Sequence, residues 1–290
     1  MKKFALTIPI ILISLTLAAC GQTKSADKAS QSSDTSSSST VSSSATHSNT
    51  SSSHSSSTSA QNSSSASSSK AASKEAAVSL ASSTSRLGQL NHKLQTNLGN
   101  IALPQADGLT NGSANLNIRY TGDANNYQIF YSVGNQPREF NAAVLSKENP
   151  YAILQKETFA SNAQAAEKIN HIDADANKGL PATDLGSGIT GHSEMGAGNI
   201  HLVWNEGNWS LSVHAINIEN QDPKPMAKQI VQLLNTYRLP APNQYGQIQF
   251  DVNIIPGDRN QIIKWQEQNI VYTITAHDPT TAIKLAASIK

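Results

Sequence analysis

The chain holds a single cysteine, Cys20, and a thiolate is the strongest ordinary nucleophile a side chain offers. Two short runs gather other residues with chemical potential. Asp173, Asp175, Asn177 and Asp184 space oxygen donors as a calcium loop does. Lys178 stands where such a loop needs glycine, Gly179 comes one place late, and Asp184 fills the position of the expected bidentate Glu. A polar turn after a helix is the commoner explanation. The second run, Gly191-His192-Ser193-Glu194-Met195, sets a serine beside a histidine. A nucleophile elbow needs glycine where Met195 stands, and neighbours in sequence rarely face one another as a triad must. His192, Glu194 and His201 match no helical zinc spacing. Trp204, Trp209 and Trp265 lie at strand spacing and are weak candidates for a sugar-stacking platform; core or cross-strand packing is the more frequent role of such residues. His214 falls between core-facing Val213 and Ala215, hence on the other sheet face, and His277 ends its strand; both read as surface histidines. No glycine-rich phosphate loop follows a strand and opens a helix. The residues thus name no catalytic set, no metal site and no cofactor.

These side chains must be positioned by the elements after Arg86. Leu87, Leu90, Leu94 and Leu98 recur at helical spacing before Gly99, which predicts an amphipathic helix. Leu116, Ile118 and Tyr120 alternate with polar neighbours, as do Tyr127, Ile129, Tyr131 and Val133, and residues 122–126 between them carry turn chemistry. A third strand is expected near residues 151–156, and Ser161 with Gln164 forms a capping box before a helix reaching about Ile172. Residues 173–199 read mostly as loop, with one short strand near Ile189. Leu202 and Trp204 then lead through Glu206-Gly207-Asn208 into a strand with Trp209, Leu211, Val213 and Ala215 on one face. A helix follows between Pro223 and Pro240. Ile248, Phe250, Val252 and Ile254 alternate in the next strand, Pro256-Gly257-Asp258 turns the chain, two more strands carry Trp265 and Tyr272, and a last helix starts at Pro279.

Trp204-Asn205-Glu206-Gly207-Asn208 aligns without a gap with Trp265-Gln266-Glu267-Gln268-Asn269, and the following strands keep register. The shared unit is strand, tight turn, strand, helix, over about 186–239 and again over 246–290. One such unit cannot bury its sheet face and its helix stripe alone. The expected class is therefore α+β, an antiparallel sheet built from repeated β-β-α units with helices packed on one face. The unit resembles the strand-strand-helix modules of lipoproteins and anti-sigma-type extracytoplasmic domains of Gram-positive bacteria. That resemblance implies a fold and a location, and transfers no catalytic residue.

At the start of the chain, Lys2 and Lys3 precede an apolar run from Phe4 to Ala19, about 16 residues, where a spanning helix wants roughly 20. A basic start, a short apolar core and small residues before a cut site describe a secretory signal. Leu17-Ala18-Ala19-Cys20 resembles the lipobox of bacterial lipoproteins, which implies diacylglyceryl transfer to the Cys20 thiol and cleavage after residue 19. Two acyl chains, at roughly 0.8 kcal/mol per buried CH₂, hold a protein stably at a membrane. Residues 20–85 are nearly all Ser, Ala and Thr, with His47 and His54 as solvated spacer residues, and cannot bury enough apolar surface to offset ordering entropy. A flexible chain of about 60 residues spans roughly 40 to 45 Å root-mean-square. Such a leash suits a Gram-positive wall.

The remaining 86–290 holds no cysteine, so packing alone must stabilise it, and its acidic residues slightly outnumber its basic ones. A nucleic-acid binder would usually show a basic face, so that class is disfavoured. The expectation is a monomeric, non-enzymatic lipoprotein on the extracellular face of the cell membrane, meeting a cell-wall polymer or surface protein. The rival is a wall-acting hydrolase or metal-dependent enzyme with loop-borne residues.

Overall fold

The structure, a computed structural model, describes residues 85–290. The expected signal segment, Cys20, and the expected spacer with His47 and His54 lie outside the described residues.

Among the described residues, four α-helices and ten strands follow in order. Helix α1 (Arg86–Leu98) begins where Ser85 Oγ accepts from Gly88 N at 3.0 Å, and it stops at Gly99, whose φ of 79° favours a residue without a Cβ. Strands β1 (Leu116–Gly122) and β2 (Tyr127–Val133) form the expected hairpin, and β3 (Ala152–Thr158) joins it. Helix α2 (Asn162–Ala166) is capped by Ser161, whose Oγ accepts from Gln164 N, while Gln164 Oε1 reaches past the cap residue to accept from Ala160 N, both at 3.2 Å. It ends well short of Ile172. Strands β4 (Ala182–Gly186), β5 (Ile189–Gly196), β6 (Asn199–Glu206) and β7 (Trp209–Ile216) make a meander, followed by helix α3 (Lys224–Thr236). Strands β8 (Gly246–Asp251), β9 (Gln261–Glu267) and β10 (Ile270–Ala276) and helix α4 (Pro279–Ala287) complete the chain.

All ten strands share one sheet, in the order β1-β2-β3-β10-β9-β8-β7-β6-β5-β4. Every adjacent pair is antiparallel except β7 with β8. The sheet is therefore mixed, which corrects the purely antiparallel expectation. The cause is local: α3 sits between β7 and β8 and carries the chain back, as a crossover between parallel strands must.

Two other expectations are corrected. The stretch 173–199 holds β4, β5 and the start of β6, because its glycines serve tight hairpins (Ser187 at φ 54° and Gly188 at 77°, then Ala197 at 49° and Gly198 at 82°). The β8 alternation does not run on to Ile254. Asp251 Oδ1 accepts from Asn253 N at 2.7 Å, turning the chain and leaving Ile254 and Ile255 on the surface.

Burial follows the strand period. Ile118, Ile129, Leu154, Ile274, Ile263, Ile248, Leu211 and Leu202 join Leu90 and Leu94 of α1, Ile230 of α3, and Ile283 and Leu285 of α4 in one continuous core. Val271 leaves β10 between core-facing Ile270 and Tyr272, and packs instead with Ala165 of α2 and Ile169. The short helix thus lies with residues of the other sheet face.

Candidate ligand pocket on the polar sheet face

Strand β3 is central and β4 is an edge, so the segment between them has to cross seven inter-strand steps, roughly 34 Å at about 4.8 Å per step. It does so over the sheet face that the main core leaves free, and the sheet's own side chains pin it. Phe159 exchanges hydrogen bonds with Asn269 (Phe159 N to Asn269 O 2.8 Å, Asn269 Nδ2 to Phe159 O 2.7 Å). Gln266 Nε2 donates to Asn162 O at 2.8 Å and Lys264 Nζ to Lys168 O at 3.2 Å. Asn170 N donates to Gln247 Oε1 at 2.9 Å, and Asn205 Nδ2 to Ile172 O at 2.8 Å. The anchors step from the β9/β10 turn through β9 and β8 to β6, following the order of the strands themselves.

Register fixes what lies beneath this strap. On the polar face His201 stands opposite Glu194 and His214, Val203 opposite Ser212, Ser210 beside Gln247 and Ser212 beside Gln249. Between these strands and strap residues Asn170 and Ile172 is a cavity of ≈ 280 Å³, lined by Glu194, His201, Val203, Ser210, Ser212, Gln247 and Gln249. Its polar groups divide in two. Gln247 is spent on structure, accepting from the strap and donating through Nε2 to Gln249 Oε1 at 3.1 Å. Ser210 is only 4% exposed, yet its hydroxyl, the Gln249 amide nitrogen and the His201 ring donate to no described residue.

The histidines form a graded pair. His214 Nδ1 faces Asp251 Oδ2 at 2.7 Å and its Nε2 faces Asn199 Oδ1 at 2.9 Å, so both ring nitrogens meet oxygen. The His201 ring lies 4.9 Å from it, centroid to centroid. Burial, and then His214, hold His201 below the ordinary histidine range; Glu194 and Asp251 pull weakly the other way. His201 therefore meets the cavity as a neutral imidazole, able to donate and to accept.

Sequence candidates fall on either side of this geometry. Glu194 and His201 come together as cross-strand neighbours, whereas His192 Nδ1 faces Leu180 O at 3.4 Å. Ser193 belongs to the opposite strand face, opposite core residue Leu202. Ser212 shares a face with the His214–Asp251 pair, but His214 Nε2 turns to Asn199 and Ser212 Oγ to Ile248 O at 3.5 Å. Asp173, Asp175 and Asn177 start and form a short 3₁₀ turn, Asp175 pairs with Lys178 at 2.9 Å, and Asp184 accepts from Gly186 N in β4. Among the described residues no group of three or more His, Cys, Asp or Glu side chains is placed to hold a metal ion.

The three tryptophans are buried in the core, Trp204 at 2% and Trp265 at 0% exposure, so their faces offer no surface platform. Two of the indoles are satisfied by carboxylates two residues on: Trp204 Nε1 donates to Glu206 at 2.8 Å and Trp265 Nε1 to Glu267 at 3.0 Å, and Trp265 stacks on Tyr272 at 5.2 Å. Sequence reasoning passed over Ser210, Ser212, Gln247 and Gln249. The available signal was their chemistry: the non-core positions of two neighbouring strands hold short uncharged hydrogen-bonding groups where a fully solvated face would carry Lys and Glu.

Comparison with protein-family models, with curated proteins and with solved structures finds no match to this chain.

Proposed function

We propose that this protein is a lipoprotein anchored through Cys20 to the outer face of the cell membrane, and that its folded domain binds cell-wall material without transforming it. The observation that carries the binding role is the strap-roofed cavity, in which several hydrogen-bonding groups converge without protein partners. The anchoring role rests on Lys2, Lys3 and the apolar run ending at Leu17-Ala18-Ala19-Cys20. A non-catalytic role is supported by the engagement of His214 on both nitrogens, which turns its Nε2 away from Ser212.

The same reading includes a duplicated β-β-α unit. In its favour, both Trp-x-Glu corners close an indole-to-carboxylate bond, and both turns open on a left-handed residue, Gly207 at φ 58° and Gln268 at 54°. Each is followed by a strand and a helix, β7 with α3 and β10 with α4. The helices α1, α3 and α4 would then share the core face.

Co-sedimentation of the full-length protein with purified wall sacculi tests the binding role. Saturable retention on sacculi is expected, beyond any retention on phospholipid vesicles, and retention on vesicles alone would contradict it. Metabolic labelling with a fatty acid tests the anchor: Cys20→Ala is expected to lose the label, and an unchanged label would refute the assignment.

A further inference from the structure

We propose that the cavity beneath the strap takes one uncharged sugar ring, and that Glu194 at its rim turns away sugar acids. This deepens the wall-binding role proposed above and rests on it. Three properties of the lining select the ligand. The first is charge. None of the lining residues is Lys or Arg, and the nearby Lys264 spends its ammonium on Lys168 O. An anion would enter with no cation to meet it and with the Glu194 carboxylate facing it. Phosphates, sugar acids and the carboxylate end of an amino acid are disfavoured on that ground.

The second property is hydrogen-bond capacity. The Ser210 hydroxyl both donates and accepts, the Gln249 Nε2 amide donates, and the neutral His201 ring does one at each nitrogen. Hydroxyls around a pyranose ring offer the matching mixture at short, regular intervals. An aliphatic ligand would leave the Ser210 hydroxyl dry and unpaired, since that residue is more than nine-tenths buried. The third property is shape. At ≈ 280 Å³ the cavity is below the usual range of about 300–1,000 Å³ for drug-sized ligands, which suits a single ring. Val203 and Ile172 supply an apolar contact for the C–H face of that ring, whereas no broad aromatic slot is present among the lining residues to hold a nucleobase.

The test is isothermal titration calorimetry on the full-length protein with N-acetylglucosamine and glucuronate as probes. N-acetylglucosamine is expected to bind saturably and at least tenfold more tightly than glucuronate. Ser210→Ala and Gln249→Leu are each expected to weaken it at least fivefold, while Glu194→Gln narrows the preference over glucuronate. Melting curves establish that each variant is folded; Ser210→Ala, nearly isosteric, carries the test should Gln249→Leu unfold. Absence of saturable binding, equal affinity for glucuronate, or undiminished affinity in Ser210→Ala would overturn the proposal. Sacculus retention is measured on the same variants. Sugar binding that survives in the variants refutes the cavity as the sugar site and leaves wall binding standing where retention persists, whereas sugar binding by the wild type without sacculus retention refutes wall binding alone.

Discussion

Gly246 lies across the parallel β7/β8 pairing from Trp209, at the one place where the two antiparallel parts of the sheet are joined. A Cβ added there would stand 2.5 Å from Trp209 Cε3, 2.6 Å from Cδ2 and 2.8 Å from Cζ3. Carbon atoms rest at about 3.5–4.0 Å, so Gly246→Ala forces the indole back by about 1 Å. Trp209 packs in the main core with one edge on a surface cavity, so the ring can shift only by disturbing its core contacts. Gly246 lies outside the left-handed region, so space alone is at issue. Overpacking of this kind costs about 1–3 kcal/mol, a fall in Tm of about 2–12 °C at roughly 2–4 °C per kcal/mol for a domain of this size. Urea unfolding followed by tryptophan fluorescence reads the change as a lower midpoint at unchanged slope. Trp209→Leu is destabilising by itself but relieves the clash, so the double variant should be more stable than the sum of the two single costs implies. A wild-type midpoint in Gly246→Ala, or strict additivity in the double variant, would refute the steric reasoning.

The strap gives a second expectation. Gln247→Leu leaves Asn170 N–H without its acceptor, which should cost about 1–3 kcal/mol and speed hydrogen exchange at the Asn170 amide selectively. Asp251→Ala removes the partner of His214 Nδ1 and the acceptor of Asn253 N together, and is expected to lower the urea midpoint more than His214→Gln does. His201 predicts a pH dependence with a definite sign. Its native pKa is lowered, so the unfolded chain takes up the proton first, and stability should fall as pH drops below about 6.5. Urea midpoints across that range should lose part of the slope in His201→Gln.

The strands with clean alternation were legible because one face is buried and the other is not: Ile248 and Phe250 in β8, and Ile129 and Tyr131 in β2, announce their elements directly. Helix α2 was legible from the capping chemistry of Ser161 and α1 from its leucine spacing, whereas the cap of α4, where Asp278 Oδ1 accepts from Thr281 N at 2.9 Å, is seen only in the structure. Strand β4 and the full length of β5 escaped, although a short strand near Ile189 was expected, because beyond Ile189 their core-facing positions are filled by little more than Leu185 and Gly191, the latter with Leu185 and Leu202 pressed against the place its Cβ would take. The pairing of β3 with β10 and the parallel step from β7 to β8 join residues far apart in sequence, and no local period encodes such partners. The cavity was hidden for the same reason. Its lining is drawn from four strands and a strap, and only the sheet order places Ser210, Gln249 and His201 together.

The most direct measurement is amide and side-chain chemical-shift mapping of the full-length protein as N-acetylglucosamine is added. Saturable shifts centred on Ser210, Gln249 and His201, with Asn170 in the strap following them, are expected. Shifts centred elsewhere, or none at saturating sugar, would contradict the assignment of this face as the binding site.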